Sequence, residues 1–162
     1  MAIPGYMWIK DDQGNDVKSD SQVQDREGAA EVIGFEHRVY IPSDSDTGAL
    51  TGTRKHEPFT VTKTFCPASP VLAKACASGK TLKEVKISWY KINDEGKEEE
   101  YYRHTLSDVK VVSVNPIMPD IKDKTKETYG HLEQVAFRYK TIEWNHLDGN
   151  ISTQDTWNDK TA

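Results

Sequence analysis

The chain has 162 residues, close to the commonest single-domain length and enough to bury a sizeable core. Its formal net charge is -5 with acids and bases interspersed, and no Lys/Arg stripe is interleaved with aromatics, which argues against nucleic-acid binding. An aromatic share of 9% marks a folded chain rather than a disordered one, and no apolar run approaches the length of a membrane span.

The N-terminal stretch MAIPGYMWIKDD lacks a basic n-region, and Pro4-Gly5 interrupts its apolar part. The expectation is a soluble protein made in the cytoplasm without a signal peptide. Tyr6, Trp8 and their neighbours form a first short strand that ends at the turn signal Asp11-Asp12-Gln13-Gly14-Asn15. A second strand runs from about Ala30 to Ile41. In EVIGFEHRVY, alternation puts Val32, Gly34, Glu36, Arg38 and Tyr40 on one face, opposite Glu31, Ile33, Phe35 and His37. Then comes an arm, Pro42 to Glu57, whose one sizeable aliphatic residue is Leu50. Connections in compact domains are usually about 4–6 residues, and longer ones tend to be functional or disordered. A third strand spans Phe59 to Phe65.

The segment SPVLAKACASG reads differently. Ser69 stands at an N-cap, Pro70 at the first helical position and Gly79 just past the end. Val71, Leu72, Ala75 and Cys76 share one helical face, so a single short helix, about Pro70–Ser78, covers one side of the sheets. Cys66 and Cys76 fit neither a CxxC redox motif nor a zinc ribbon and read as packing thiols, Cys66 being the more exposed. KEVKISWYKI and KEEEYYRHTL flank Asn93-Asp94-Glu95-Gly96 as a hairpin, with the acidic run on a solvated edge. VKVVSVNPIM is apolar enough for a strand buried on both faces, with Pro116 marking a bulge or edge. Pro119 to Gly130 is a charged loop. In HLEQVAFRYKTIEW the apolar positions are Leu132, Val135, Phe137, Tyr139, Ile142 and Trp144, with a phase shift after Leu132. Asp148-Gly149 then turns the chain into a last strand, NISTQDTW.

Motifs that imitate chemistry fail on context. Asp46-Thr47-Gly48-Ala49 has the letters of an aspartic-protease tetrapeptide, but its flanks are polar and a second copy is missing from the sequence. Asp44, Asp46 and Gly48 begin like a calcium loop that should close on a Glu, where Lys55 stands instead. Gly79-Lys80-Thr81 ends a helix rather than starting one, and the P-loop's earlier glycine is Lys74. His37, His56, His104, His131 and His146 are scattered singly without ligand spacing. The residues therefore give a soluble barrel or sandwich, mainly β, in one domain over 1–162, with no catalytic set, metal or cofactor expected.

Several stretches resemble a known family. They are MAIPGYMWIKDDQGNDVKSDS, LTGTRKHEPFTVTK, SPVLAKACASGKTLKEVKISWYKINDEGKEEEYYRHTL and VKVVSVNPIMPDIKDKTKETYGHLEQVAFRYKTIEWNHLDGNISTQDTW. Together they span essentially the whole chain and look like the haemolysin-coregulated protein family, Hcp, of the bacterial type VI secretion system. Cys66-Pro67-Ala68 and Tyr129-Gly130 depart from the familiar pattern, and Cys66 is open to an adventitious disulfide under oxidising conditions. The resemblance implies a compact barrel of two packed sheets, phage tail-tube-like, in a non-enzymatic structural subunit. Such subunits form homohexameric rings that stack into a hollow tube within a contractile sheath, tipped by a spike protein. The lumen carries effector proteins, and the subunit is itself secreted through the system, with no nucleic acid and no membrane insertion involved.

On the family pattern the long loop reaches an adjacent subunit. Here that loop is Ser43, Asp44, Ser45, Asp46, Thr47, Gly48, Ala49, Leu50, Thr51, Gly52, Thr53, Arg54, Lys55 and His56. Leu50 is its apolar anchor, and an exposed strand edge on the neighbour offers it backbone partners. The same match aligns the second strand with one lining the pore, which makes Glu36 and Arg38 lumen candidates. Two other readings stay open: a phage-like tail-tube protein, and a monomeric ligand-binding barrel with the loop as its lid.

Overall fold

The computed structural model of the protein describes residues 3–157. Its strands are β1 (Gly5–Lys10), β2 (Asp16–Val17), β3 (Ala30–Glu36), β4 (Val39–Tyr40), β5 (Lys55–His56), β6 (Phe59–Thr64), β7 (Thr81–Ile92), β8 (Glu98–Ile117), β9 (Leu132–Arg138), β10 (Thr141–His146) and β11 (Ile151–Thr156). One helix, α1 (Ser69–Ser78), lies between β6 and β7, and a 3-10 turn covers Lys124–Lys126. No helix among the described residues is long and apolar enough to cross a membrane.

The strand that makes the fold is β8, which is 20 residues long. Its first part pairs with β7 from Glu98 to Lys110, and its second part pairs with β9 from Lys110 to Ile117. The path β8-β7-β1-β3-β6-β9 therefore returns to β8 and closes a six-stranded antiparallel barrel. Closure removes sheet edges that would otherwise pair with other chains. The strands β10 and β11 extend the sheet from the first part of β8. β8 changes partner around Asp108, whose φ of 51° kinks the strand, and Lys140 N–H donates there to the carbonyls of Ser107 and Asp108.

Alternation fills the barrel. Met7, Ile9, Val61, Phe59, Val85, Ile87, Val109, Val135 and Phe137 are buried in one core, and Leu72 and Ala75 of α1 join it. Fully burying each such aliphatic or aromatic side chain is worth about 1.5–3 kcal/mol. The helix ends as expected, with Gly79 left-handed at φ 66°. It starts one residue earlier than expected: Ala68 is the N-cap, and Ser69 has no capping role. The Ser69 hydroxyl instead accepts from Cys66 N–H at 3.0 Å and donates to Glu133 Oε1 at 2.7 Å.

Three other expectations change. The strand expected over Ala30–Ile41 breaks at His37-Arg38, and a register shift between Val32 and Gly34 puts a bulge at Ile33. Val32 thus faces the core, while Phe35, paired with Val61, returns to the inner face and Glu36 stays outside. Val32 and Glu36 do not share a face, because the extra residue inverts the alternation. VKVVSVNPIM is buried on one face only: Val109 and Val111 point in, whereas Val112 is 47% exposed. Finally, the phase shift after Leu132 has a cause. The inward position is Glu133, 2% exposed and ion-paired to Lys63, which is fully buried. A charge occupies the slot where an apolar residue would have kept the pattern regular.

Candidate assembly surface: the projecting hairpin and the barrel mouth

The long arm is an ordered hairpin that stands off the barrel. Its base is the pair β4–β5, with Val39 opposite His56 and Tyr40 opposite Lys55. Farther out, Thr51 N–H donates to Pro42 O at 2.9 Å and Ser43 bridges Leu50. At the tip, Asp44 Oδ1 accepts from the backbone N–H groups of Asp46 and Thr47, at 2.9 and 2.8 Å, and from the Thr47 hydroxyl. The backbone N–H of Thr47 and then that of Asp46 hold the Asp44 carboxyl below its ordinary range. Gly48, at φ 72°, closes the turn with its N–H on Asp44 O. Asp44 thus does a turn's work, as Asx residues do elsewhere. Ser43, Asp44, Ser45, Asp46, Thr47, Gly48, Ala49, Leu50, Thr51, Gly52 and Thr53 are all exposed, Leu50 to 67%.

The base is tied into its own chain. His56, 3% exposed, lies 2.6 Å from Tyr139 Oη through Nδ1 and 2.6 Å from Asp155 Oδ2 through Nε2. Arg54 Nε donates to the same carboxylate oxygen at 2.5 Å and its Nη2 to Thr156 O at 3.0 Å. His37 Nε2 reaches Tyr139 Oη at 2.7 Å, so one hydrogen-bonded chain links β11, the arm's return strand and its outgoing root. Burial raises the Asp155 carboxyl, but the hydrogen bonds from Arg54 and His56 more than offset that and hold it below its ordinary range. Burial and the Asp155 charge push the Tyr139 phenol well above its ordinary range. Burial, and the charge His56 can carry, bring His37 down to about 4. Of the arm residues expected at a subunit contact, Arg54 and His56 are thus engaged within the chain, and the outer hairpin is what remains presented.

Glu36 and Arg38 are both exposed. Arg38 pairs with Glu57 at 3.5 Å and lies over the Tyr40 ring at 4.2 Å. Beside the arm's root the barrel mouth opens into a cleft of ≈ 540 Å³ lined by Phe35, His37, Val39, Trp89, Tyr101, Tyr102, His104 and Trp144. Trp89 Nε1–H donates to His104 Nδ1 at 2.8 Å, and its ring meets Phe35 at 4.4 Å between centroids. Gly5 makes room for that indole: a Cβ there would come within 2.5 Å of Trp89 Cζ3. Burial, and then the charge of His37, bring His104 down to about 4.

Sequence reasoning found the arm but missed what holds it, since His37, His56, Tyr139 and Asp155 lie far apart in the chain. The one trace of it in the sequence is Tyr139, an aromatic among the apolar positions of HLEQVAFRYKTIEW. Among the described residues no group of three or more His, Cys, Asp or Glu could hold a metal.

The chain is thus a closed antiparallel barrel with one helix on its wall and a hairpin held away from its core. The family model described as "Type VI secretion system effector, Hcp" matches residues 6–146. The "Major exported protein" of Pseudomonas aeruginosa is 34% identical over 171 residues, covering 100% of this chain and 99% of its own. A mutant of the Hcp1 protein from E. coli EAEC 042 pathovar superposes with a TM-score of 0.87 at 51% identity, over 96% of this chain and 99% of that one. The secreted protein Hcp3 from Pseudomonas aeruginosa gives a TM-score of 0.78 at 32% identity, over 96% and 99% of the two chains. The chain belongs to the Hcp family of type VI secretion proteins.

Proposed function

We propose that this chain is a structural subunit of the inner tube of a type VI secretion system, assembling into hexameric rings that stack, and has no catalysis of its own. The rings sit inside a contractile sheath behind a spike protein, carry effectors in their lumen, and are exported with them. The observation that carries this reading is the hairpin. Fixing a residue's backbone costs about 1–2 kcal/mol, and an isolated two-stranded hairpin is marginal in water. Here the outer residues are hydrogen-bonded into a hairpin yet exposed, and the Arg54–Asp155–His56–Tyr139 ties hold the root rather than the tip. A neighbouring subunit supplies the burial that the monomer lacks. In a head-to-tail ring each subunit offers one patch to a different patch on the next, and the rotation must close. The free edges of the hairpin suit strand addition to such a neighbour.

The test replaces Ser43–Thr53 by a short Gly-containing turn and spares Arg54 and His56. The expected product is a folded barrel with unchanged β-sheet circular dichroism that elutes as a monomer while the parent elutes as a ring. Rings that persist unchanged in the shortened chain contradict the role given to the arm.

A further inference from the structure

We infer that the cleft at the barrel mouth is a binding site for a small uncharged aromatic amide, recognised through His37 as hydrogen-bond acceptor and His104 as donor. The site goes beyond the tube reading and does not depend on it.

The walls set the class of occupant. The cleft holds ≈ 540 Å³, within the roughly 300–1,000 Å³ of small-molecule sites, and Phe35, Trp89, Tyr102 and Trp144 line it. None of its lining residues is Asp, Glu, Lys or Arg, in a chain of which those four make up 29%. Burial brings His37 and His104 down to about 4, so both are neutral at pH 7. An anion would lose its hydration here without recovering a partner. Aromatic walls favour a planar ring that stacks on them or meets them edge-on.

The two imidazoles are fixed by their partners. An indole N–H only donates, so Trp89 Nε1–H, 2.8 Å from His104 Nδ1, makes that nitrogen the acceptor. The His104 proton is therefore on Nε2. His37 is set by a longer route. A carboxylate only accepts, so His56 Nε2, 2.6 Å from Asp155 Oδ2, carries a proton. With the ring neutral, His56 Nδ1 accepts from the Tyr139 hydroxyl at 2.6 Å. That hydroxyl is then spent as a donor, and its oxygen accepts from His37 Nε2–H at 2.7 Å. Burial and the Asp155 charge hold the Tyr139 phenol protonated. His37 Nδ1 is left with a lone pair.

Both remaining nitrogens are open. Among the described residues, His37 Nδ1 and His104 Nε2 have no hydrogen-bond partner, and neither is buried away from water. Both rings pack on Phe59, each 5.2 Å away by centroid, so acceptor and donor belong to one small site. An amide supplies the complement on a neutral planar group, its N–H for His37 and its carbonyl for His104. A quaternary ammonium would suit the aromatic walls but bring no acceptor to His104.

The experiment uses the full-length chain with Trp8→Phe/Trp157→Phe, so that Trp89 and Trp144 report. Benzamide, N,N-dimethylbenzamide, benzoate and tetramethylammonium are titrated at neutral pH. A saturable fluorescence change with benzamide is expected. The dimethyl compound keeps the carbonyl but has no N–H, and should bind about tenfold more weakly. Tyr139→Phe leaves the cleft lining intact and removes the hydroxyl that holds His37 in this tautomer. It should bring benzamide down to the level of the dimethyl compound and leave the latter unchanged, which a merely structural role would not do. His37→Leu should abolish the same preference, and decides the matter if the Tyr139 variant does not fold. No saturation with benzamide, equal binding of the two amides, or tighter binding of benzoate or tetramethylammonium overturns the site. So does a preference for benzamide that survives the substitutions. Each of these outcomes leaves the ring reading standing, since native mass decides that separately.

Discussion

Lys63→Met should destabilise the barrel by about 3–5 kcal/mol, the usual cost of removing one partner from a buried ion pair. Both side chains are out of solvent, at 0% and 3% exposure. The Lys63 ammonium donates to Thr64 O at 3.2 Å and to Ser69 Oγ at 3.0 Å, with Cys66 Sγ at 3.1 Å. Without it, Glu133 keeps the Ser69 hydroxyl and no counter-charge. A domain's whole stability is on the order of 5–15 kcal/mol, so this is a large share of it. Glu133→Gln should cost a similar amount from the other side. The double replacement Lys63→Met/Glu133→Leu should recover much of the loss, since an apolar pair removes both desolvation penalties. Urea denaturation of the arm-shortened chain reads the effect without interference from assembly. A single replacement costing less than about 1 kcal/mol, as a surface pair does, would sink the account of the buried pair. Cys66 belongs to the same cluster. Burial raises its thiol, but hydrogen bonds from Ser19 and Lys63 and the Lys63 charge outweigh that, leaving it below the ordinary range.

The second large effect is acid destabilisation between pH 6.5 and 4. His37 and His104 sit near 4 in the folded protein against an ordinary 6.5, both mainly through burial. In that window the unfolded chain binds more protons than the folded one, so stability falls as pH falls, by about 1.4 kcal/mol per pH unit for each histidine. Well above pH 6.5 both are neutral in both states and contribute no slope. Tyr139, His56 and Phe59 face His37; Trp89, Phe35, Phe59 and Tyr102 face His104. None of these supplies an anion to stabilise an imidazolium. Asp155 meets His56 rather than either of them, and its lowered carboxyl gives up its stabilisation only at more acid pH. Urea midpoints of the arm-shortened chain at pH 7.0 and 4.5 measure the loss. His37→Gln, which can still hydrogen-bond Tyr139, should remove about one histidine's share of the slope. Equal midpoints at the two pH values would contradict the burial of both rings.

Strand number, order and turns could be read from the sequence wherever alternation is regular and Asn, Asp or Gly marks the turn. The β7–β8 hairpin at Asn93–Gly96 and the β10–β11 turn at Asp148-Gly149 are examples. What alternation cannot express are the places where it is broken for a reason on another strand. The bulge at Ile33 inverts a face, Glu133 takes a core position because Lys63 faces it, and Ser69 leaves its cap because the same cluster claims its hydroxyl. The arm was visible as a connection too long and polar for a monomer. Its anchor was not, because Arg54 and His56 find their partners about 100 residues later, at Asp155. The cleft was equally hidden, since Phe35, Trp89, Tyr102 and Trp144 come from four separate strands, β3, β7, β8 and β10.

The most direct measurement is the native mass of the unmodified chain at micromolar concentration and neutral pH, by sedimentation velocity or native mass spectrometry. A closed ring predicts a single species at six times the 18.3 kDa chain, seen as annular particles in negative stain. A clean 18.3 kDa monomer would contradict the assembly that the projecting hairpin implies.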